Sequence, residues 1–86
     1  KYSFLFLIIL KSFMKIIIES WNEGFQKVTL THIQIDLLKI SLKVAKSNVD
    51  KLLDGHSITI DVNNEQLALT FVEKAKNINV NCRILH

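Results

Sequence analysis

Three histidines and one cysteine are the side chains of this chain best suited to binding a metal ion or to nucleophilic attack. The spacing of His32, His56 and His86 fits no known ligand pattern, and Cys82 has no second cysteine with which to share a metal. The alternation around Cys82 places its thiol on the inward side of a strand, where cysteine acts as a small hydrophobic residue. We therefore predict no metal site, no cofactor and no catalytic cysteine.

The hydroxyl, carboxylate and glycine residues do not indicate an active site either. Ser57 follows His56 directly, but adjacency in sequence says nothing about the geometry of a catalytic triad. The two glycines form no phosphate-binding loop. Three aspartates that could act as acids or bases fall in separate environments: Asp50, Asp54 and Asp61. The sequence thus predicts a protein that is not an enzyme.

Composition predicts one small globular domain. The chain has 86 residues, 49% of them hydrophobic, and it contains no proline and two glycines. These values suit a single packed core and argue against a disordered linker. The lone cysteine excludes an internal disulfide, so a reducing cytoplasm is the expected location.

The charge distribution argues against nucleic acid as a direct partner. The net charge is +3, but two of the eleven basic residues, Lys1 and Lys11, lie in the first thirteen positions. The remainder has nine basic and eight acidic side chains. A chain this balanced lacks the basic patch that phosphate recognition needs.

The first thirteen residues, KYSFLFLIILKSF, form a separate apolar segment. Residues 2–10 are apolar except for Ser3, but this run is much shorter than the roughly 20 residues that span a membrane. We expect the domain to start at Met14, with 1–13 as translated upstream sequence or residues of cloning origin, and we expect no membrane partner. An export signal or anchor, or an additional strand or helix, is the alternative. If it is present, this segment must be buried or it will promote association.

Hydrophobic periodicity predicts three strands and three helices after this segment. Strands are predicted at 15–20, 57–62 and 79–85, where β-branched residues cluster or alternate with polar ones. The first helix, 26–38, carries apolar residues mostly at helical spacing: Val28, Leu30, Ile33, Leu37 and Leu38.

Capping residues predict where the other two helices begin and end. The second helix follows the N-cap Ser41 and ends at Asp54 and Gly55, where glycine can adopt a left-handed conformation. Its inward stripe is predicted to be Leu42, Ala45, Val49, Leu52 and Leu53. The third helix begins at the N-cap Asn63, with Gln66 as its capping-box partner. Its stripe is predicted to be Ala68, Phe71, Val72, Ala75 and Ile78.

The element order β-α-α-β-α-β predicts an α+β fold with two layers. Three antiparallel strands form one sheet, three helices cover one face of it, and the other face stays open. The open sheet face and the segment 1–13 are the two surfaces through which we expect a homodimer to form, if one exists.

This order and two short motifs resemble the C-terminal domain of the bacterial large-subunit ribosomal stalk protein. The motifs are Lys27-Val28 at the start of the first helix and ISLKVAK at 40–46. The family carries a lysine-valine pair and, at the same separation, a glycine-leucine-glycine-leucine-lysine-glutamate-alanine-lysine stretch. The resemblance covers about residues 15–85 and does not extend to the family's dimerising domain and hinge.

In that family the exposed face of the first two helices docks translation GTPases. The resemblance therefore implies a protein partner, such as a translation elongation factor, and no direct contact with nucleic acid. Where the family has isoleucine and arginine, this chain has Thr31 and Ile35, and Lys39 and Ser41 replace the two glycines. The implied partner-binding residues are Lys27, Val28, Thr31, Ile35, Lys43 and Lys46.

Four lysines are expected along one edge of the first two helices, either as a docking patch for an acidic helix or as a solvated face. They are Lys27, Lys39, Lys43 and Lys46.

The same topology occurs in the small adaptor of the ATP-dependent Clp protease, which binds N-terminal degrons and gives the alternative function. NEGF at 22–25 lies where that adaptor has an asparagine followed by acidic residues, so Glu23 would hold the amino group of the degron. Trp21, beside this loop, is either an exposed binding residue or a cap over the end of the core.

Overall fold

The computed structural model describes residues 14–86; the segment 1–13 and the predictions made for it lie outside the described residues. The predicted α+β fold is confirmed, because three antiparallel strands form an open sheet that packs against three helices in the order β-α-α-β-α-β. The elements are β1 (Met14–Trp21), α1 (Lys27–Leu38), α2 (Leu42–Leu53), β2 (Ile58–Val62), α3 (Glu65–Asn77) and β3 (Val80–Leu85).

β1 is the central strand, and both of its neighbours, β2 and β3, run antiparallel to it. Its sequence suits this place because Ile16 and Ile18 are fully buried on the helix side, while Ile17 is half-buried on the other side. The pairing of β1 with β3 shifts between Ile18 and Ser20, so Glu19 is the extra residue of a bulge.

The core lies between the sheet and the helices, and Phe71 of α3 is its largest fully buried side chain. α2 and α3 approach the strands closely, and α1 packs against both of these helices. The core joins residues from all six elements, including Ile16, Leu30, Leu52, Ile58, Phe71 and Val80. Because α1 lies between the other two helices, its side chains decide how they are spaced.

The open face of the sheet is polar. Lys15 pairs with Asp61 across β1 and β2, with 2.6 Å between Nζ and Oδ1, and Arg83 of β3 pairs with Glu19, with 3.2 Å between Nε and Oε2. Arg83 also lies opposite Ile17 in the β1–β3 register. Homodimerisation through this face stays a prediction, and the charges here are unlike the more apolar interfaces of permanent dimers.

Side-chain caps start α2 and α3. Ser41 Oγ accepts a hydrogen bond from the Val44 N–H at 3.2 Å, which confirms the predicted N-cap of α2. The N-cap predicted for α3 is wrong by one residue, because Asn64 Oδ1, and not Asn63, accepts the Leu67 N–H at 3.1 Å. With the N-cap at Asn64, the position three residues after the cap is Leu67 and not Gln66. A leucine side chain cannot donate the second hydrogen bond of a capping box, so the predicted capping box is wrong.

Left-handed residues end α1 and precede β3. Lys39 closes α1 with φ 57° and ψ 30°, and its N–H donates to Ile35 O at 3.1 Å, as in the αL helix ending. Gly55 has φ 92°, which confirms the predicted stop after α2. Asn79 has φ 66°, so β3 begins at Val80, one residue later than predicted.

Lys39→Gly is expected to raise the free energy of unfolding by about 0.5–1 kcal/mol, because only glycine adopts the left-handed conformation without a steric cost. Urea unfolding followed by circular dichroism measures the change. Lys46→Gly, inside α2, is the control and is expected to lower stability by up to about 1 kcal/mol. A Lys39→Gly variant less stable than the parent would contradict the prediction.

Two leucines predicted to face inward from α2 are exposed. Ala45, Val49 and Leu52 are buried as predicted, but Leu42 is 54% exposed and Leu53 is 37% exposed. Leu42 is the first residue of the helix, and Leu53 is turned by about 100° from the buried Leu52. The half-buried Asn48 lies on the inward side in their place.

The inward side of α1 is also more polar than its apolar spacing predicts. Leu30 and Ile33 are buried, but so are Thr31 and Gln34, while Val28 is 64% exposed. The Thr31 hydroxyl donates to Lys27 O at 3.1 Å, so its burial leaves no unpaired group. α1 thus presents two polar residues to its neighbours and one apolar residue to solvent.

Among residues 14–86, no helix combines the length and the apolar character needed to cross a membrane.

Candidate protein-docking groove

A groove of about 200 Å³ runs between α1 and α2 and brings together most of the predicted partner-binding residues. We call it the α1–α2 groove. Its lining residues are Lys27, Val28 and Thr31 from α1 and Lys46, Val49 and Asp50 from α2. The floor is formed by the buried Thr31 and Val49, and the exposed residues form the rim.

A buried glutamine holds the two walls of this groove together. Gln34 of α1 is fully buried, and its Nε2 donates to Leu30 O at 3.3 Å and to Ala45 O of α2 at 3.2 Å. Its Oε1 accepts a hydrogen bond from Asn48 Nδ2 at 2.8 Å. Because these bonds cross from one helix to the other, they fix the distance and register between α1 and α2.

The rim of the groove carries a small excess of positive charge. Lys27 and Lys46 are exposed on opposite helices, and Asp50 follows Lys46 by one turn. Within the described part of the chain, the side-chain ion pairs are Lys15–Asp61 and Arg83–Glu19. Both groove lysines are therefore available to a carboxylate on another molecule.

Two of the predicted partner-binding residues are not among the lining residues of the groove. Ile35 is half-buried on α1, and Lys43 is exposed on α2, one turn before Lys46. At this spacing Lys43 shares a face of α2 with Lys46 and Asp50 and extends the charged rim. Sequence reasoning missed Val49 as a groove residue because its apolar spacing indicated only a core role.

Lys39 is not among the lining residues of the α1–α2 groove. It is placed by the left-handed turn at the end of α1 and lines a second groove, of about 410 Å³, whose residues come from α1, β2 and α3. We call this the α1–β2–α3 groove. It is lined by Leu37, Leu38, Lys39, Asp61, Val62, Asn63 and Leu67. Lys27 and Lys46 thus share one groove while Lys39 lines another, and the four-lysine edge stays a prediction.

The loop between β1 and α1 carries an aromatic pair. The Trp21 and Phe25 rings have centroids 5.9 Å apart, and Phe25 packs against the core while Trp21 is 41% exposed. Trp21 therefore covers Phe25 and keeps part of its ring in solvent. Glu23 is exposed and belongs to neither of the two grooves.

The turn in this loop requires glycine at position 24. Gly24 has φ 90°, and a Cβ atom there would lie 2.8 Å from Asn79 Nδ2. The Asn22 N–H donates to Asn79 O at 2.9 Å, which ties the loop to the end of α3. The path of the loop is thus fixed by contacts with residues far along the chain.

Cys82 is a half-buried residue of β3 whose surroundings disfavour the thiolate. Burial raises the pKa of the Cys82 thiol to about 12, and the negative charge of Glu19 adds to the rise. A thiol with this pKa is protonated at neutral pH, and the thiolate is the reactive form. In the described range 14–86, no three histidine, cysteine or acidic side chains lie together as a metal-binding group would.

The chain matches no protein-family model, and comparisons with curated proteins and with solved structures give no match. Any function proposed for it therefore rests on its own sequence and geometry.

Proposed function

We propose that this chain is a cytoplasmic, non-enzymatic protein-interaction domain of the ribosomal-stalk type, and that its α1–α2 groove docks a translation GTPase. One observation carries the proposal. Four of the six residues implied by the resemblance line the same groove: Lys27, Val28 and Thr31, which are close together on α1, and Lys46, which comes from α2.

The chemistry of the groove suits an acidic helix on the partner. Val28 is an exposed apolar side chain between cations, and Val49 continues the apolar surface into the floor. A helix that places one apolar residue against Val28 and carboxylates one turn away would satisfy Lys27 and Lys46. Charges at such a rim accelerate encounter and set orientation more than they add affinity, so we expect weak and salt-sensitive binding.

The test is a binding measurement between the full chain and a purified bacterial translation elongation GTPase, by isothermal titration calorimetry at low and moderate salt. We expect the parent chain to bind and Lys27→Glu/Lys46→Glu to weaken binding by roughly tenfold to a hundredfold, because two attractions become repulsions. The measured affinity of the parent chain is expected to fall as salt rises.

The control is Lys74→Glu/Lys76→Glu, which changes the net charge equally but lies in the last turn of α3. We expect this variant to bind within about threefold of the parent, a difference of less than 1 kcal/mol. If both double variants weakened binding equally, the loss would come from the change in net charge and not from the α1–α2 groove. A parent chain that does not bind would overturn the proposal.

A further inference from the structure

The α1–α2 groove holds a third charge that the proposed docking does not use. Asp50 is exposed and lines the groove together with Lys27 and Lys46. Within residues 14–86 both ion pairs lie on the sheet, and the Asp50 carboxylate joins neither of them. In this part of the chain the groove therefore presents an anion and two cations that do not pair with one another.

The hydrogen bonds of Gln34 set the position of each charge along the groove. α1 and α2 are joined by three residues, so they run in opposite directions. The Gln34 side chain bonds to α2 one residue before and two residues after Lys46, so these two residues lie at the same level. Asp50 is one turn further along α2, about 6 Å from that level. Lys27 is two turns before Gln34, about 10 Å away in the same direction, so the order along the groove is positive, negative, positive.

A helix on the partner can match this order with one of its faces. Each helical residue rises about 1.5 Å, so charges about 6 Å and 10 Å from the first fall at positions i+4 and i+7. Positions i, i+4 and i+7 lie on the same side of an α-helix. Carboxylates at i and i+7 would meet Lys46 and Lys27, and a basic residue at i+4 would meet Asp50. A helix with three carboxylates on this face would instead place one of them against Asp50.

We propose that Asp50 is a specificity-determining residue of the α1–α2 groove, and that it selects a partner helix in which a basic residue lies between two acidic ones. The inference rests on the proposed docking function of this groove and names the charge pattern of the partner. Asp50 acts against wrong partners, because like charges that are brought together at an interface weaken binding.

Two synthetic helical peptides of identical composition test this pattern against the full chain. The first is an alanine-rich helix with glutamate, lysine and glutamate at i, i+4 and i+7 and one leucine on the same face. The second exchanges the lysine with the first glutamate, so its net charge is unchanged. The readout is the affinity from nuclear magnetic resonance titrations, followed at the backbone amides of Thr31 and Val49 in the floor of the groove.

The peptides are compared on the parent chain and on two charge-reversal variants. Asp50→Lys changes the groove, and Asp36→Lys is the matched control. Asp36 is also exposed and in the last turn of its helix, but it is not among the groove residues. Because both positions are exposed, both variants are expected to fold, and the amide spectra of each variant report this directly.

We expect the parent chain to bind the first peptide roughly tenfold more tightly than the second, because the exchange turns two attractions into repulsions. Asp36→Lys is expected to keep this preference. Asp50→Lys is expected to reduce it to about twofold or less, because each peptide then makes two attractions and one repulsion.

Three results would overturn the inference: equal affinity of the parent for both peptides, no shifts in the groove with either peptide, or a preference that survives Asp50→Lys. The binding of an elongation GTPase is measured separately. If the GTPase does not bind while the peptide preference holds, the proposed partner is wrong and the charge pattern stands. If the GTPase binds and the parent does not distinguish the peptides, only the role of Asp50 is wrong.

Discussion

Phe71→Ala is expected to lower the free energy of unfolding by about 3–5 kcal/mol, the largest loss from any single substitution considered for this domain. Phe71 is fully buried and is the largest side chain in the core, where it joins α3 to the sheet and to the other helices. Alanine removes most of its apolar surface and leaves a cavity that the surrounding strands cannot close. A domain of this size has a free energy of unfolding of roughly 4–10 kcal/mol, so the change removes much of the total.

Urea unfolding followed by far-ultraviolet circular dichroism gives the free energies for the parent and the variant. Val72→Ala is the matched control, because Val72 is the next residue on α3 and is half-buried. Its expected cost is about 1 kcal/mol, since fewer buried atoms are removed. If Phe71→Ala cost no more than Val72→Ala, the core would not be centred where the structure places it.

Gln34→Ala is expected to lower the free energy of unfolding by about 2–4 kcal/mol, the second largest effect. The substitution removes a fully buried side chain and its three hydrogen bonds, and it leaves the Asn48 amide without its partner on α1. An unsatisfied buried group costs about 1–3 kcal/mol, and the cavity adds to this. Because Gln34 sets the register of α1 against α2, the variant is also expected to weaken any partner that binds the α1–α2 groove.

Gln34→Met separates the loss of hydrogen bonds from the loss of volume. Methionine has nearly the same shape, so the expected cost is about 1–2 kcal/mol, from the hydrogen bonds alone. Combining Gln34→Met with Asn48→Ala should then cost less than the sum of the two single changes, by about 1 kcal/mol, because both remove the same bond. Additive costs, or a methionine variant as stable as the parent, would mean that the polar bridge contributes little.

The candidate site was only partly open to prediction from the sequence. Lys27, Val28, Thr31 and Lys46 were named through a family resemblance, and they line one groove. Lys39, expected on one edge with Lys27, Lys43 and Lys46, lines the other groove at a left-handed turn that a non-glycine residue does not signal.

The sequence by itself determined the features that depend on near neighbours. The alternation of apolar and polar residues predicts β2 and β3, Ser41 marks the start of α2, and Gly55 marks its end. Each of these signals acts within a few residues, so the order and type of all six elements follow from local patterns. These local signals were sufficient for the α+β fold with its three-stranded sheet.

Only the tertiary structure decided which side of α1 faces inward and where the grooves form. α1 packs against two other helices, so its inward side is selected by partners such as Asn48, fourteen positions after Gln34, and not by its own apolar spacing. Val28 is therefore exposed while Gln34 is buried. The physical reason is that a buried polar side chain is tolerated wherever distant groups satisfy its hydrogen bonds, and those groups come together only when the chain has folded.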